Sequence, residues 1–290
     1  MKDQAYNLRR KMLIGDYSPA KTIAVVSGKG GVGKSNISTN LSVLLGKENK
    51  KVLLIDLDIG MGNIHILLGS HHSYSIMDYI EEKELDIDTI ICENVHGISY
   101  ISGGNGLKNI VEWNEKQIER FFEVMEHAVK KYDYILFDMG AGATKETLDF
   151  LLAMDEIIVV TTPEPTSITD AYSMMKYIYL RDQEKQFYLI CNRAEFKKEG
   201  LETITRLQET VRKFLHKEIV SLGVLPEDST VRKAVIHQTP IVVGYPASAM
   251  TLSLRTMLHH FVGAPYRPVK KQAGFLKSMR NLFLGGKIPE

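Results

Sequence analysis

The sequence predicts an α/β fold, in which a mostly parallel, twisted β-sheet is covered by helices on both faces. Apolar runs of strand length recur along the chain, and helical patterns separate most of them. A glycine-rich segment joins the first of these runs to the first helical pattern. Such alternation is typical of right-handed βαβ units, whose ligands bind at the carboxyl ends of the strands.

The elements follow from local patterns along the chain. Buried apolar runs predict strands at residues 21–27, 52–55, 98–101, 134–137, 157–160, 187–190 and 219–224. Apolar residues at helical spacing predict helices over 36–45, 118–129, 203–215 and 251–261, the last of which follows a short apolar run at 241–243. We assign 21–264 to one α/β domain, 1–20 to an N-terminal arm, and 265–290 to a linker and a C-terminal helix, because prolines mark both boundaries.

Composition argues against several classes of protein. The two cysteines, Cys92 and Cys191, form no C-x-x-C pair, which disfavours a disulfide framework or a zinc knuckle and favours a reducing cytoplasm. The sequence shows neither a signal peptide nor an apolar run of about 18 residues, so we expect a protein that does not cross a membrane. The net charge of +1 divides into +2 for residues 1–20, +5 for 265–290 and −6 for the remainder, which argues against DNA as a partner of the domain.

The glycine-rich segment fits the phosphate-loop pattern G-x-x-x-x-G-K-[ST] and carries an additional lysine at its second position. The backbone N–H groups of such a loop point at a polyphosphate that lies on the positive end of the following helix. We expect Lys34 to contact the β- and γ-phosphates of ATP or ADP, and Ser35 to bind Mg²⁺. The predicted nucleotide-binding residues of this segment are Gly28, Lys29, Gly30, Gly31, Val32, Gly33, Lys34, Ser35 and Asn36.

Carboxylates stand at the ends of two further strands. Asp56 and Asp58 end the strand that begins at residue 52, and Asp138 ends the strand that begins at 134. Because Mg²⁺ prefers oxygen ligands in octahedral geometry and keeps several waters, Ser35 with a water-bridged Asp138 or Asp56 is the predicted metal site. Asp58 is then free to orient the attacking water.

The segment from Lys29 to Ser35, together with Asp58 and Asp138, resembles the deviant Walker A ATPases typified by MinD and ParA, over roughly residues 21 to 264. The resemblance implies a P-loop NTPase fold of the SIMIBI/MinD type and an ATP-sandwich homodimer in which Lys29 acts in trans. It also implies that Asp58 lies in switch I and residues 138–142 in switch II. Lys29, Lys34 and Asp58 are therefore the predicted catalytic residues.

The resemblance extends to the nucleotide base. Asn192 and Arg193 are similar to the family's adenine-contacting Asn-Arg pair, and Pro226, Glu227 and Asp228 are similar to its later base-flanking loop. We therefore expect Asn192, Arg193, Pro226 and Glu227 to contact the nucleotide.

The C-terminal residues 274–285 place apolar side chains on one face of a helix, with basic side chains beside it. This pattern favours binding to an anionic membrane surface, at the inner face of the cell membrane. A helix of about ten residues binds lipid weakly, so dimerisation is expected to supply the second anchor. One alternative is a helix that packs on the domain. Another is a helix that packs on the domain in one state and enters lipid in another. The predicted membrane residues are Phe275, Leu276, Met279, Leu282, Phe283, Lys277 and Arg280.

The N-terminal arm resembles the D-Q-A-x-x-L-R element of the FlhG family of flagellar-number ATPases. The resemblance implies that this element stimulates FlhF, a signal-recognition-type GTPase. It also implies that flagellar C-ring switch proteins bind surface helices, and we expect helix 166–179 to be one of them. The residues carried over to the partner GTPase are Asp3, Gln4, Ala5, Leu8 and Arg9.

The expected function is slow, partner-regulated ATP hydrolysis by a cytoplasmic, peripherally membrane-associated switch that controls flagellar assembly. The alternative is a MinD/ParA-type positioning ATPase for the division site, the chromosome or another cargo. A DNA-binding partition ATPase would need basic residues clustered on the domain. An iron–sulfur carrier would need suitably spaced cysteines. Asp58 argues against a scaffold that binds nucleotide without hydrolysing it.

Overall fold

The structure is a computed structural model that describes residues 20–58, 62–70, 73–81, 84–104, 114–142, 145–263 and 274–283. Its strands are β1 (Lys21–Val26), β2 (Val52–Leu57), β3 (Cys92–Val95), β4 (Ile98–Ile101), β5 (Tyr134–Met139), β6 (Glu156–Thr161), β7 (Phe187–Ala194) and β8 (Val220–Pro226). Its helices are α1 (Lys34–Lys47), α2 (Ile64–Leu68), α3 (Ile76–Glu81), α4 (Glu115–Lys131), α5 (Lys145–Ala153), α6 (Pro165–Tyr179), α7 (Lys197–Leu215), α8 (Ser229–Ile236), α9 (Ile241–Gly244), α10 (Ala249–Gly263) and α11 (Phe275–Phe283). A 3₁₀ turn spans Ile87–Ile90.

The strands form one sheet in the order β3-β4-β2-β5-β1-β6-β7-β8. All neighbouring pairs are parallel except β3 and β4. The predicted α/β class is therefore confirmed. The first strand lies at the centre of the sheet, between β5 and β6, so the loop that follows it opens at the middle of the carboxyl edge.

Two apolar cores lie on opposite faces of this sheet. Helices α3 to α7 and α11 cover one face, and helices α1, α2 and α8 to α10 cover the other. The central strands are buried on both faces, which explains why they read as continuous apolar runs rather than as alternating ones. Within the described residues, no helix is long and apolar enough to cross a membrane.

The structure adds elements that were not predicted from the sequence, among them the helices α2, α3, α5 and α8. Residues 92–95 form an edge strand that pairs antiparallel with β4 through a two-residue turn, His96-Gly97, in which both residues have positive φ. This strand is not evident from the sequence, because it is short and mostly polar. The apolar run at 241–243 forms a helical turn, Ile241–Gly244, because a run this short carries no usable periodicity.

Candidate nucleotide-binding site

The glycine-rich loop connects β1 to α1, as predicted. Gly33 caps the helix with φ 92°, a left-handed conformation that favours glycine. A Cβ at this position would collide with the side-chain nitrogen of Asn192, so the loop also packs closely against the end of β7. The start of α1 thus presents its free N–H groups at the carboxyl edge of the sheet, where an anion is stabilised.

Lys34 is the buried cation of the site. Its Nζ lies 3.4 Å from Asp138 Oδ1 and 3.7 Å from Asp58 Oδ2, and its side chain is only 6% exposed. A buried lysine of this kind needs a negative partner, and here two strand-end carboxylates supply it. The structure therefore brings together three residues that the sequence analysis assigned to catalysis and metal binding.

Asp56 and Asp138 stand side by side, because they are register partners on the parallel strands β2 and β5. Burial, and then the nearby Asp138, raise the pKa of Asp56 to about 7. Burial also raises the pKa of Asp138, against the opposing effect of Lys34. Both shifts mean that burial of two neighbouring carboxylates is unfavourable here, and that Lys34 offsets only part of this cost.

The side chains of the same pocket are suited to binding Mg²⁺. Asp138 Oδ2 is buried and has no hydrogen-bond partner among the described residues. A buried carboxylate oxygen without a partner is costly, and a divalent cation with oxygen ligands removes that cost. The chemistry of Ser35, Asp56 and Asp138 therefore fits the predicted metal.

Lys29, the additional loop lysine, makes contacts different from those of Lys34. Its Nζ lies 2.7 Å from Glu164 Oε2 and 3.2 Å from Thr166 Oγ1, just before and at the start of α6. This ion pair is exposed, and Lys29 lowers the pKa of Glu164. Helix α6 packs directly on the loop, since a Cβ at Gly28 would collide with the backbone of Asp170.

Glu164 and Thr166 were not predicted from the sequence as residues of the site. The available signal was that Glu164, like Asp58, follows the end of a buried strand. Its pairing with a lysine 135 positions away is a tertiary contact, which no local pattern reports.

The residues predicted to contact the nucleotide base lie next to one another at the ends of β7 and β8. Asn192 is buried and donates its side-chain N–H to the carbonyl of Val32 at 2.7 Å. Arg193 is exposed and has φ 56°. The backbone N–H of Glu227 donates to the carbonyl of Ala194 at 2.9 Å, which ties the two predicted base-flanking segments together.

The C-terminal helix α11 lies on the domain, against α4 and α5. Phe275 and Met279 are buried, Leu276 is partly buried, and Lys277 and Arg280 are exposed. The apolar face predicted to enter lipid is therefore covered by protein in this structure. Side chains of Leu282 and Phe283 lie outside the described part of the chain, as do Asp3, Gln4, Ala5, Leu8 and Arg9.

Comparison with known proteins supplies the family. The family profile described as "ParA: NUBPL iron-transfer P-loop NTPase" matches residues 18–262. Antiactivator FleN of Pseudomonas aeruginosa is 30% identical over 84% of this chain and 87% of its own length. The flagellum site-determining protein YlxH of Helicobacter pylori is 35% identical over 83% of this chain and 81% of its own length.

The chain belongs to the FlhG-type branch of the MinD/ParA family. A structure of the MinC:MinD cell division protein complex of Aquifex aeolicus resembles this FlhG-type fold with a TM-score of 0.67 and 26% identity, over 84% of this chain and 96% of that chain. The predicted P-loop NTPase fold and the family resemblance are thus confirmed. This is a family of ATPases, which supports ATP as the nucleotide.

The family profile is described as an iron-transfer NTPase, but the described residues contain no cluster of cysteine thiolates that could ligate iron. Cys92 and Cys191 are free and lie on different strands, β3 and β7. Burial raises the pKa of the Cys191 thiol to about 12, so it stays protonated. No three His, Cys, Asp or Glu side chains converge into a metal centre in the described ranges.

Proposed function

We propose that this FlhG-type chain is an ATP-hydrolysing regulator that sets the number and position of flagella. The observation that carries the proposal is the convergence of Asp58 and Asp138 on Lys34, at 3.7 and 3.4 Å, at the mouth of the phosphate loop. The names of the relatives, an antiactivator and a flagellum site-determining protein, support the flagellar role.

Hydrolysis uses positioning and charge neutralisation more than covalent chemistry. The loop N–H groups hold the phosphates, and Lys34 exchanges its carboxylate contacts for the γ-phosphate. Asp58, released from Lys34, orients the attacking water and accepts its proton. Mg²⁺, held by Ser35 with Asp138 or Asp56, supplies neutralising charge when bound. Hydrolysis is slow because one lysine and one carboxylate leave the site incomplete until a second chain supplies Lys29.

The proposed active state is a homodimer in which Lys29 reaches the phosphates of the other protomer. Lys29 is bound to Glu164 and Thr166 in the single chain, at 2.7 and 3.2 Å. Because this ion pair is exposed, it contributes little to stability and is readily exchanged for a phosphate. Dimerisation thereby completes a site that the single chain leaves without an arginine-finger equivalent.

The proposed membrane anchor is α11, covered in the single chain and released in the ATP-bound dimer. Phe275 lies against Phe137 with ring centroids 5.8 Å apart, and Phe137 immediately precedes Asp138. Phe150 of α5 packs on the same ring at 5.2 Å. A shift of the Asp138 segment on nucleotide binding therefore reaches the surface on which α11 rests. Two released helices in one dimer bind an anionic bilayer more tightly than one helix does.

Partner binding is proposed on α6 and α7 for flagellar C-ring proteins, and on residues 1–20 for the FlhF-type GTPase. Tyr177, Leu180 and Phe214 are large apolar side chains that stay exposed on or beside these two helices. Phe214 stacks edge-on against Tyr172 of α6 at 6.4 Å, which joins the helices into one surface. Exposed aromatic residues of this kind are typical anchors of protein interfaces.

The proposed function is tested with the Asp58→Ala variant in the presence of ATP. We expect dimers by size-exclusion chromatography and retention on anionic liposomes, because binding is kept while hydrolysis is lost. Asp86→Ala, at an exposed aspartate whose side chain makes no capping bond, is the matched control and should cycle like the parent chain. A variant that stays monomeric and unbound to liposomes would refute the dimer-and-membrane mechanism.

A further inference from the structure

Helix α11 occupies a groove that α4 and α5 form over the sheet. Phe275 lies against Phe137 of β5, with ring centroids 5.8 Å apart, and Met279 has no exposed surface. Further along the helix, Arg280 donates to Glu126 Oε1 of α4 at 2.8 Å. The groove therefore holds a short helix that combines an apolar face with a basic side chain at its edge.

The apolar surface of the groove needs a cover. Phe137 and Phe150 pack against each other with ring centroids 5.2 Å apart, and both are almost fully buried. If α11 leaves, as proposed for the ATP-bound dimer, the Phe137 ring loses its contact with Phe275, and apolar surface becomes exposed to water, which is unfavourable. Either another apolar segment then enters the groove, or α4 and α5 close over it.

Residues 1–19, which lie outside the described part of the chain, join the domain beside this groove. The backbone N–H of Ala20 donates to the carbonyl of Val129 at 3.4 Å. Val129 follows Glu126 in α4 by about one helical turn. Ala20 and Phe275 are also buried in the same apolar core. The point at which residues 1–19 join the domain is thus close to the ion pair at the edge of the groove.

This segment is long enough to enter the groove. The nine residues of α11 make a helix of about 14 Å. Residues 5–14 would make a helix of about 15 Å, and residues 15–19 would span up to about 17 Å between that helix and Ala20. A tether this short keeps the segment at a high effective concentration beside the groove.

The side chains of residues 5–14 repeat the pattern of α11. Ala5, Leu8 and Met12 are spaced by three and four residues, which places them on one face of a helix. Basic side chains stand at positions 9, 10 and 11. They can supply the cation that Glu126 receives from Arg280 when α11 is docked. Residues 5–14 therefore match the groove in both apolarity and charge.

We propose that residues 5–14 bind the groove when α11 leaves it, so that the two segments are alternative occupants of one site. The inference rests on the proposed release of α11 in the ATP-bound dimer. The N-terminal arm, proposed to stimulate a partner GTPase, is then free while α11 is docked and is held on the domain while α11 is in lipid. Leu8, a predicted contact of that GTPase, faces the groove in the second state.

The test removes α11 from the groove without ATP or lipid and follows the arm by hydrogen exchange in the full chain. Met279→Asp places a charge at a fully buried position, so exchange in α11 should accelerate. We expect exchange in residues 5–14 to slow about tenfold at the same time, as docking for about nine-tenths of the time predicts. Adding Leu8→Asp to Met279→Asp should restore fast exchange in the arm.

Lys277→Asp is the matched control, because it places an aspartate at an exposed position of the same helix. Exchange in α11 and in residues 5–14 should both stay as in the parent chain. If Met279→Asp accelerates exchange in α11 and leaves residues 5–14 unchanged, the arm does not enter the groove and the inference is wrong. Slowed exchange that persists after Leu8→Asp would also overturn it, because the arm would then be protected elsewhere.

The proposed release of α11 is tested separately, on the parent chain with ATP and without liposomes. We expect ATP to accelerate exchange in α11. Exchange in α11 that ATP leaves unchanged would refute the release. The result with Met279→Asp, which needs no nucleotide, would still decide whether the groove accepts the arm.

Discussion

Reversing the charge of Glu126 tests whether α11 is held on the domain by contacts that it later gives up. Arg280 of α11 donates to Glu126 Oε1 of α4 at 2.8 Å, and its guanidinium lies 5.5 Å from the centre of the Phe122 ring. Glu126 lies on the domain, so Glu126→Lys leaves unchanged every residue of the helix that we propose to face lipid. The variant therefore separates docking from membrane affinity.

The expected size of the effect of Glu126→Lys follows from the solvent exposure of the Arg280–Glu126 ion pair. The two side chains are 46% and 37% exposed, so the pair contributes about 0.2–1 kcal/mol, and reversing one charge replaces that attraction with a repulsion of similar size. A total of about 1 kcal/mol changes the ratio of docked to released helix about fivefold. The buried Phe275 and Met279 keep the docked form in the majority.

Hydrogen exchange of the amides in α11 and co-sedimentation with anionic liposomes measure the two consequences. In the absence of ATP, we expect exchange in α11 and liposome binding each to rise about fivefold, and both effects to shrink in high salt. Glu93→Lys is the control, because it makes the same charge change at an ion pair with Lys131 at 2.7 Å. Unchanged exchange would show that the Arg280 contact does not hold the helix. Faster exchange without added liposome binding would show that α11 is not the lipid anchor.

Two further predictions concern buried charges away from the site. Lys185 is buried and donates hydrogen bonds to the carbonyls of Leu152 and Met154 at the end of α5. Lys185→Met should therefore lower the free energy of unfolding, measured in urea, by about 1–3 kcal/mol. An unchanged free energy of unfolding would contradict this capping role. Burial raises the pKa of Glu156 despite its 2.7 Å contact with Lys21, so its contribution to stability is present at low pH and is lost as pH rises through the raised pKa. Glu156→Gln should remove this part of the pH dependence, and a variant whose unfolding free energy falls with pH as steeply as in the parent would contradict it.

The sequence predicts the centre of the fold better than its edges, for a physical reason. Strands buried on both faces, such as β2 and β6, must be continuously apolar, so composition alone identifies them. The edge strand β3 is exposed and half polar, so it carries no such pattern. Lys34 of the glycine loop lies 3.4 Å from Asp138 because the parallel strands β1 and β5 end at the same edge of the sheet.

The sequence could not predict which functional side chains contact each other when they are far apart in the chain. The helical pattern of α11 identifies an apolar face but not what covers it. Either lipid or the surface formed by α4 and α5 could do so, and in the structure the helix contacts α4 and α5. Likewise, the loop motif identifies Lys29 as unusual without revealing Glu164 as its partner in the single chain. The hydrogen bond from the Asn192 side chain to the loop carbonyl of Val32 is a further long-range contact of this kind. These contacts depend on packing, which local patterns do not encode.

The most direct measurement of the central claim mixes two inactive variants. If Lys29 acts on the neighbour's phosphates, a dimer of one Lys29→Ala chain and one Asp58→Ala chain contains one complete site, built from Asp58 of the first and Lys29 of the second. Each variant alone should be inactive, and an equal mixture should recover roughly a quarter of the parent ATPase rate, because half of randomly paired dimers are mixed and each has one active site of two. A mixture as inactive as its components would contradict the claim that each site needs a second copy of the chain.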